Sequence, residues 1–293
     1  MVTPRRWAAA AAAAAAIASV VGSVTPAAAM SGGHKANPAD APWFAAILWT
    51  DSGLSATGKT TPADRAPYAK PVNRAHCGGA LVAPDKVVTA AHCVTADAIK
   101  PLPANSFTIR LGGAPLSDPS VPALAVTAIT MSPSLHVIPN PTQPDDPDLA
   151  APVSDVAVLT LAHPVSTAPI HVDTTAVASG TPLRMFGHGV EPGLPADQLR
   201  SDALEVGGFT AMNTEQAAAK WAPASSQKGL LYFGDRTVYP TSGDSGGPVI
   251  RGGSGPAQLV GLVSFATQIL ADSTPRPGFA GGADASAIAS MLH

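Results

Sequence analysis

Three short stretches of this 293-residue chain carry side chains with the types and spacing to do chemistry. In Ser242-Gly243-Asp244-Ser245-Gly246-Gly247-Pro248, the glycines permit a tight turn and let backbone N–H groups face a reacting carbonyl. Gly243 and Ser245 are two residues apart, so their N–H groups can point into one concavity. A serine hydroxyl is a weak nucleophile until a base takes its proton. Thr89-Ala90-Ala91-His92-Cys93 offers an imidazole as that base. Ser154-Asp155, at the head of the alternating run Val156-Ala157-Val158-Leu159-Thr160-Leu161, offers a carboxylate at the edge of a core. Such a carboxylate can accept the imidazole Nδ1–H, set the tautomer and support the imidazolium. The order His92, Asp155, Ser245 is one of those in which this constellation recurs on unrelated folds. Taken singly, each stretch has a plainer reading: a polar strand end at Asp155, a surface histidine at His92, a tight turn at Ser245.

Cys77 and Cys93 are the only cysteines, and Cys93 adjoins His92. In an exported chain a lone pair reads most simply as one disulfide. It would close a loop of about 15 residues, worth roughly 3 kcal/mol, and fix the backbone beside His92. His76, Cys77, His92 and Cys93 lack zinc-ligand spacing. His34, His136, His163, His171 and His188 lie in polar, Pro-rich or turn segments and read as surface or hydrogen-bonded residues. The loop after Arg110-Leu111-Gly112-Gly113 lacks a glutamate pair for calcium. No metal and no cofactor is expected.

The elements that must position these groups read as short strands. Apolar runs bounded by Gly, Pro, Asp or Ser fall at 44–49, 80–82, 86–89, 107–111, 124–130, 155–161, 182–186, 248–251 and 258–265. Short helices are expected at 90–94, 214–221 and 283–292, with Asp284 in the first turn of the last. Residues 52–73 and 132–152 are polar and Pro-rich and read as surface insertions. Strands do not alternate with long amphipathic helices, which argues against a doubly wound sheet. Thirty prolines argue against a helical bundle, and many short strands point to barrels or sandwiches. A net charge of -3, with only 13% charged residues, excludes the basic surface that nucleic acid requires.

The first 29 residues read as an export signal. Arg5 and Arg6 form the positive end, an Ala-rich uncharged stretch follows, and Ala27-Ala28-Ala29 fits a cleavage site. A membrane anchor would need about 20 strongly apolar residues, and alanine is only weakly apolar. The twin arginines are a loose match to the Tat route. The expected product is secreted, without a membrane segment once the signal is removed.

Together these motifs resemble the trypsin/chymotrypsin-like serine endopeptidases. The likeness runs from about Met30 to the C-terminus and adds three pieces: Gly187-His188-Gly189, where the family usually has Gly-Trp-Gly; Leu259-Val260-Gly261-Leu262-Val263-Ser264-Phe265; and Pro277-Gly278-Phe279-Ala280. It implies an all-β fold of two antiparallel β-barrels with a short C-terminal helix. The first barrel would span about 30–165, the second about 175–282 and the helix about 283–292. It implies Ser245 as nucleophile, His92 as general base and acid, Asp155 as the group orienting His92, and the N–H groups of Gly243 and Ser245 as the oxyanion hole. Tyr239, Ser264, Phe265, Ala266 and Gly278 would contact the substrate. A new N-terminus at Met30 would pair with Asp244. The implied partner is a protein or peptide substrate, met by a monomer.

The sequence departs from that pattern in places. Only one disulfide can form, and none can brace the specificity pocket. Tyr239 stands where an aspartate would select Arg or Lys, so a small or medium apolar residue before the scissile bond is expected unless Asp235 or Asp272 approaches. Two other readings fit parts of the sequence. A protease-like fold that only binds would be revealed by the absence of hydrolysis. A secreted α/β-hydrolase esterase also uses G-x-S-x-G, but it needs a histidine after the serine, and only the terminal His293 follows Ser245.

Overall fold

The computed structural model describes residues 30–95, 100–139, 144, 151–190, 193–253, 255–266 and 278–292. The expected export signal at 1–29, Asp272, Pro277 and His293 lie outside the described residues. So does most of the Pro- and Asp-rich stretch at 140–150.

The first half of the chain closes into a barrel. Its strands are β2 (Phe44–Trp49), β3 (Ala75–Ala83), β4 (Lys86–Thr89), β5 (Phe107–Leu111), β6 (Leu124–Met131) and β9 (Ala157–Leu161), in the order β2-β3-β4-β9-β6-β5. A two-residue strand β1 (His34–Lys35) precedes them, and β7 (His136–Ile138) pairs with β8 (Ala151–Val153) in a small separate ribbon. All pairings in the barrel are antiparallel. Phe44, Ile47, Leu81, Val87, Val88, Phe107, Ile109 and Leu159 of its strands are all fully or almost fully buried, inside it or against its outer wall. Closure leaves no strand edge to protect.

The second half forms a curled sheet ordered β10 (His171–Val172), β15 (Gln258–Leu262), β14 (Pro248–Arg251), β11 (Pro182–Gly187), β12 (Glu205–Met212), β13 (Leu230–Gly234) and β16 (Ala280–Ala283), with β1 pairing β12 from outside. Isolated bridges Gly261–Asp284 and Phe265–Gly281 bring its two ends together. The fold is therefore mostly β: one closed six-stranded barrel and a half-barrel sheet curled beside it.

Most strands fall where the apolar runs place them. Four of the second sheet do not: β10 is only two residues long, β12 contains Gly207-Gly208, β13 runs into Gly234, and β16 reads Ala-Gly-Gly-Ala. The glycine-bearing strands are thin for a packing reason. A Cβ at Gly207 would strike the Met30 side chain, and one at Gly281 would meet the Phe265 ring at 2.6 Å.

The segment 52–73, read as loop, holds three short helices: α1 (Asp51–Ala56), α2 (Pro62–Arg65) and α3 (Pro71–Arg74). Local capping makes them. Thr50 caps α1, and Thr61 with Asp64 forms a reciprocal capping box at α2, where Pro62 supplies the first position. The expected helix at 90–94 is a single 3-10 turn, Ala91–Val94. The helix at 214–221 is cut to α4 (Thr214–Ala218) and followed by a separate 3-10 turn. The C-terminal helix shortens to α5 (Ala285–Ala289), because Ala283 belongs to β16. Asp284 is its N-cap rather than a first-turn residue, accepting from the Ala287 N–H at 2.9 Å.

Candidate active site

His92 lies in the tight turn that follows β4, and the Cys77–Cys93 disulfide ties that turn to β3. A bridge with Cα atoms 6.1 Å apart removes any thiolate, so the cluster Cys77, His92, Cys93 is not a metal site. Asp155 precedes β9 and is 0% exposed. Ser154 turns the chain there: it has φ 53°, a left-handed conformation that side chains rarely adopt, and its carbonyl accepts from the Val156 N–H at 2.9 Å. The result is a two-point grip. The Asp155 carboxylate accepts from the His92 backbone N–H at 2.9 Å and bonds His92 Nδ1 at 2.6 Å.

Electrostatics follow from that grip. Burial is the largest influence on both groups and disfavours both charges. On His92, the charge and hydrogen bond of Asp155 outweigh burial and raise the pKa above its ordinary 6.5. On Asp155, the His92 charge and bonds outweigh burial and lower the pKa below 3.8. With Nδ1 committed to Asp155, Nε2 is left to exchange a proton with a reacting group.

The Ser245 turn is seated on the first barrel beside this pair. The Ser245 carbonyl accepts from the Gly78 N–H at 2.8 Å, next to Cys77. Gly246, with φ 73°, packs against Gly78 O and Ala90 N so closely that a Cβ would clash at 2.5 and 3.0 Å. Thr89 Oγ1 donates to Gly78 O at 2.7 Å and locks the two barrel strands under the turn. Gly243 has φ 100°, so the chain reverses just before Asp244 and Ser245. No hydrogen bond joins the Ser245 hydroxyl to His92 among the described residues. Such bonds are commonly long before substrate binds.

Asp244 is also 0% exposed. It accepts from the Gly189 N–H at 2.9 Å, from the Thr241 N–H at 2.8 Å and from the Thr241 hydroxyl at 3.2 Å. All three donors are neutral, and burial pushes the carboxyl up to about 7. Gly187 and Gly189 wrap this carboxylate where any Cβ would collide with it. His188 between them is buried rather than on the surface. Its Nδ1–H donates to Ser201 O at 3.0 Å, and burial lowers it to about 4, so the ring is neutral. Met30 lies in the core of the second sheet, Ser31 bridges to Tyr239, and the Tyr239 N–H donates to Ser31 O at 3.1 Å.

Ser264 and Phe265 follow β15. Their N–H groups donate to Gly281 O at 2.9 and 3.1 Å. The Phe265 ring is buried, 5.7 Å from Trp221 and 6.2 Å from Phe279. Ala266 is buried at the end of this segment. Tyr239 is half-buried. Gly278 lies against Asp235 and Lys220, and the residue paired across from Phe265 is Gly281. Asp235 spends one carboxylate oxygen on its own turn, through Thr237 and Val238. Two residues near the site were not singled out from sequence: Trp221 and Arg200. The Arg200 side chain lies directly on Gly243, and no local motif marks it.

A closed barrel and a curled half-barrel sheet, with a His–Asp pair on the first and a glycine-framed serine turn from the second docked beside it, make up the chymotrypsin-like fold of serine peptidases. Residues 30–285 match the family described as Trypsin, and the chain belongs to that family. It is 30% identical over 213 residues to Trypsin of Saccharopolyspora erythraea, covering 71% of this chain and 81% of that protein. In fold it is similar to the VesB protease of Vibrio cholerae, with a TM-score of 0.62 at 19% identity over 89% of this chain. It spans 65% of the length of that structure's chain.

Proposed function

We propose that this endopeptidase is exported, loses residues 1–29, and cleaves peptide bonds as a monomer through a covalent acyl-enzyme at Ser245. The folded unit is residues 30–293, with the first barrel about 30–165, the second about 175–282 and the closing helix about 283–292. His92 takes the Ser245 proton as the hydroxyl attacks the carbonyl, then donates it to the leaving amine. Asp155 keeps the imidazole in the productive tautomer. The N–H groups of Gly243 and Ser245 receive the negative charge that develops on the carbonyl oxygen, an interaction worth about 3 kcal/mol per donor. Ser264 and Ala266 pair with the extended substrate through their backbones, as in strand addition. Tyr239, Phe265 and Gly278 shape a pocket without a fixed negative charge. A buried cationic side chain there would lack a partner, so a small or medium apolar residue is preferred. Removal of the signal exposes a Met30 α-ammonium that pairs with Asp244. No metal, cofactor, nucleic acid or membrane takes part.

The observation that carries this reading is the two-point bond from Asp155 to His92 beside the Ser245 turn. The test is labelling of the secreted protein with a fluorophosphonate. Mass spectrometry should find the adduct on Ser245 and none in Ser245→Ala, with His92→Ala labelling far more slowly. A folded, processed protein that takes no adduct refutes the mechanism.

A further inference from the structure

The Ser245 turn has two flanks. On one, Val263 bonds Gly246 and Gly247, with N···O distances of 2.7 and 3.0 Å, and leads into Ser264–Ala266. That is the flank proposed to hold the acyl half of the substrate. On the other, Arg200 lies across Gly243. A Cβ on Gly243 would meet Arg200 Nε at 2.5 Å and Cδ at 2.8 Å. The departing half of the substrate must leave along this second flank.

Arg200 is held there by contacts that cross between the two halves of the molecule. The buried Asn73 amide, at the end of α3, donates to Asp197 O at 2.9 Å and accepts from the Leu199 N–H at 2.8 Å. Lys70 forms an ion pair with Asp197. The chain immediately before Arg200 is therefore clamped to the helical insertion of the first barrel. Among the described residues Arg200 itself donates only from Nη1, to Leu199 O at 2.7 Å, and its buried Nε has no partner. No carboxylate forms an ion pair with it among the described residues. Asp244 is near enough to attract it, but the Asp244 oxygens are taken by Gly189 and Thr241. His76, packed at a tilt on Trp49, is pushed down to about 3 by burial and by the His92 and Arg200 charges, so it stays neutral. Arg200 is thus a charged fork on a clamped backbone beside the proposed oxyanion site, with donors to spare.

Building on the peptidase reading, we propose that Arg200 is a specificity-determining residue that binds a carboxylate on the leaving-group side of the scissile bond. Because a strand rises about 3.3 Å per residue, the first two residues after the bond lie within reach. The carboxylate has two sources. It is the side chain of an aspartate or glutamate at one of those positions, or the free C-terminus of a leaving group one or two residues long.

The experiment compares kcat/KM for peptides that differ in one group. One pair carries Glu or Gln after the scissile bond, with a long amidated C-terminus. The second ends two residues after the bond, as free acid or amide. A charge-assisted bidentate contact predicts about tenfold preference for the carboxylate in at least one pair. Preference in the first pair identifies the side chain, and in the second the C-terminus. The ratio should fall to near one in Arg200→Met and invert toward Lys over Gln in Arg200→Glu. Arg200→Lys should keep part of it. Each ratio is internal to one protein, so a general loss of activity from disturbing Gly243 cancels. In the unmodified enzyme the ratio should shrink as salt rises. Wild type that cleaves both members of each pair equally overturns the subsite alone. Wild type that cleaves nothing and takes no fluorophosphonate overturns the peptidase reading, and this inference with it.

Discussion

Two aspartates are equally hidden and respond in opposite directions. Asp155 and Asp244 are each 0% exposed; Asp155 accepts from two groups of His92, and Asp244 from three groups of Gly189 and Thr241. Asp155 is lowered and Asp244 is raised to about 7. Burial disfavours the anion in both, so burial does not separate them. The partner does: Asp155 is bonded to an imidazole that can carry the compensating charge, whereas Asp244 is hydrogen-bonded only by neutral N–H and O–H donors, and the Arg200 charge acts on it without a hydrogen bond. A buried carboxylate with a cation is a finished site; one with neutral donors alone still lacks its counter-charge. The first barrel holds its acid bonded to a group that can carry charge, and the second holds one whose hydrogen-bond partners carry none.

The largest expected effect comes from removing the charge of the finished site. Asp155→Asn keeps the shape but lets Nδ1 lose its acceptor, which favours the wrong tautomer of His92. The kcat should fall about 10⁴-fold, with KM little changed. The pH profile sharpens the comparison. Asp155 raises the His92 pKa, so the wild-type rate should climb with pH through a midpoint above 6.5. In Asp155→Asn that midpoint should drop, because burial then acts alone. Unchanged kcat in the variant would break the assignment of Asp155.

The unfinished site predicts a stability effect whose sign depends on the N-terminus. With residues before Met30 still attached, the folded pKa of Asp244 lies above its unfolded value. The folded state then binds the proton more tightly, and stability declines as pH rises from about 4 to about 7. The full shift from 3.8 to about 7 corresponds to roughly 4 kcal/mol. With a free α-ammonium at Met30 beside it, the folded pKa is depressed instead. Stability is then gained above the unfolded value and lost as pH falls. Urea melts of the two forms between pH 4 and 7 should diverge, the processed form being the more stable at pH 7. Parallel curves would mean that Asp244 is satisfied without the N-terminus.

What could be read in the sequence follows the same division. The first barrel was legible because its strands bury apolar side chains in runs, as at Phe44–Trp49 and Lys86–Thr89. His92, Asp155 and Ser245 stood out because each sits in a local motif. The second sheet was less legible because backbone, not side chain, does much of its packing: Gly207, Gly234, Gly281 and Gly282 make close contacts that carry no hydrophobic signal. The helices of 51–74 were hidden by their prolines, which serve at α2 and α3 as first-turn residues. Arg200 had no signal at all, since its position depends on Asn73 and Gly243, 127 and 43 residues away in the chain.

The smallest effect tests how the finished site is held. Ser154 adopts φ 53° immediately before Asp155, and it is the only non-glycine with positive φ among the described residues. A left-handed residue costs about 1–2 kcal/mol, and such strain persists where the surroundings over-determine it. Here the surroundings are the Asp155 carboxylate pinned by His92 on one side and β9 on the other. Ser154→Val adds a branched Cβ to that conformation and should lower stability by about 1 kcal/mol or more. Ser154→Gly removes the strain but adds freedom to the unfolded chain, so its stability should stay within about 0.5 kcal/mol of wild type. Chemical denaturation of the two variants reads the difference. If valine is tolerated as well as glycine, the backbone before Asp155 is free to relax, and the two-point grip on His92 is maintained by its hydrogen bonds rather than by the turn.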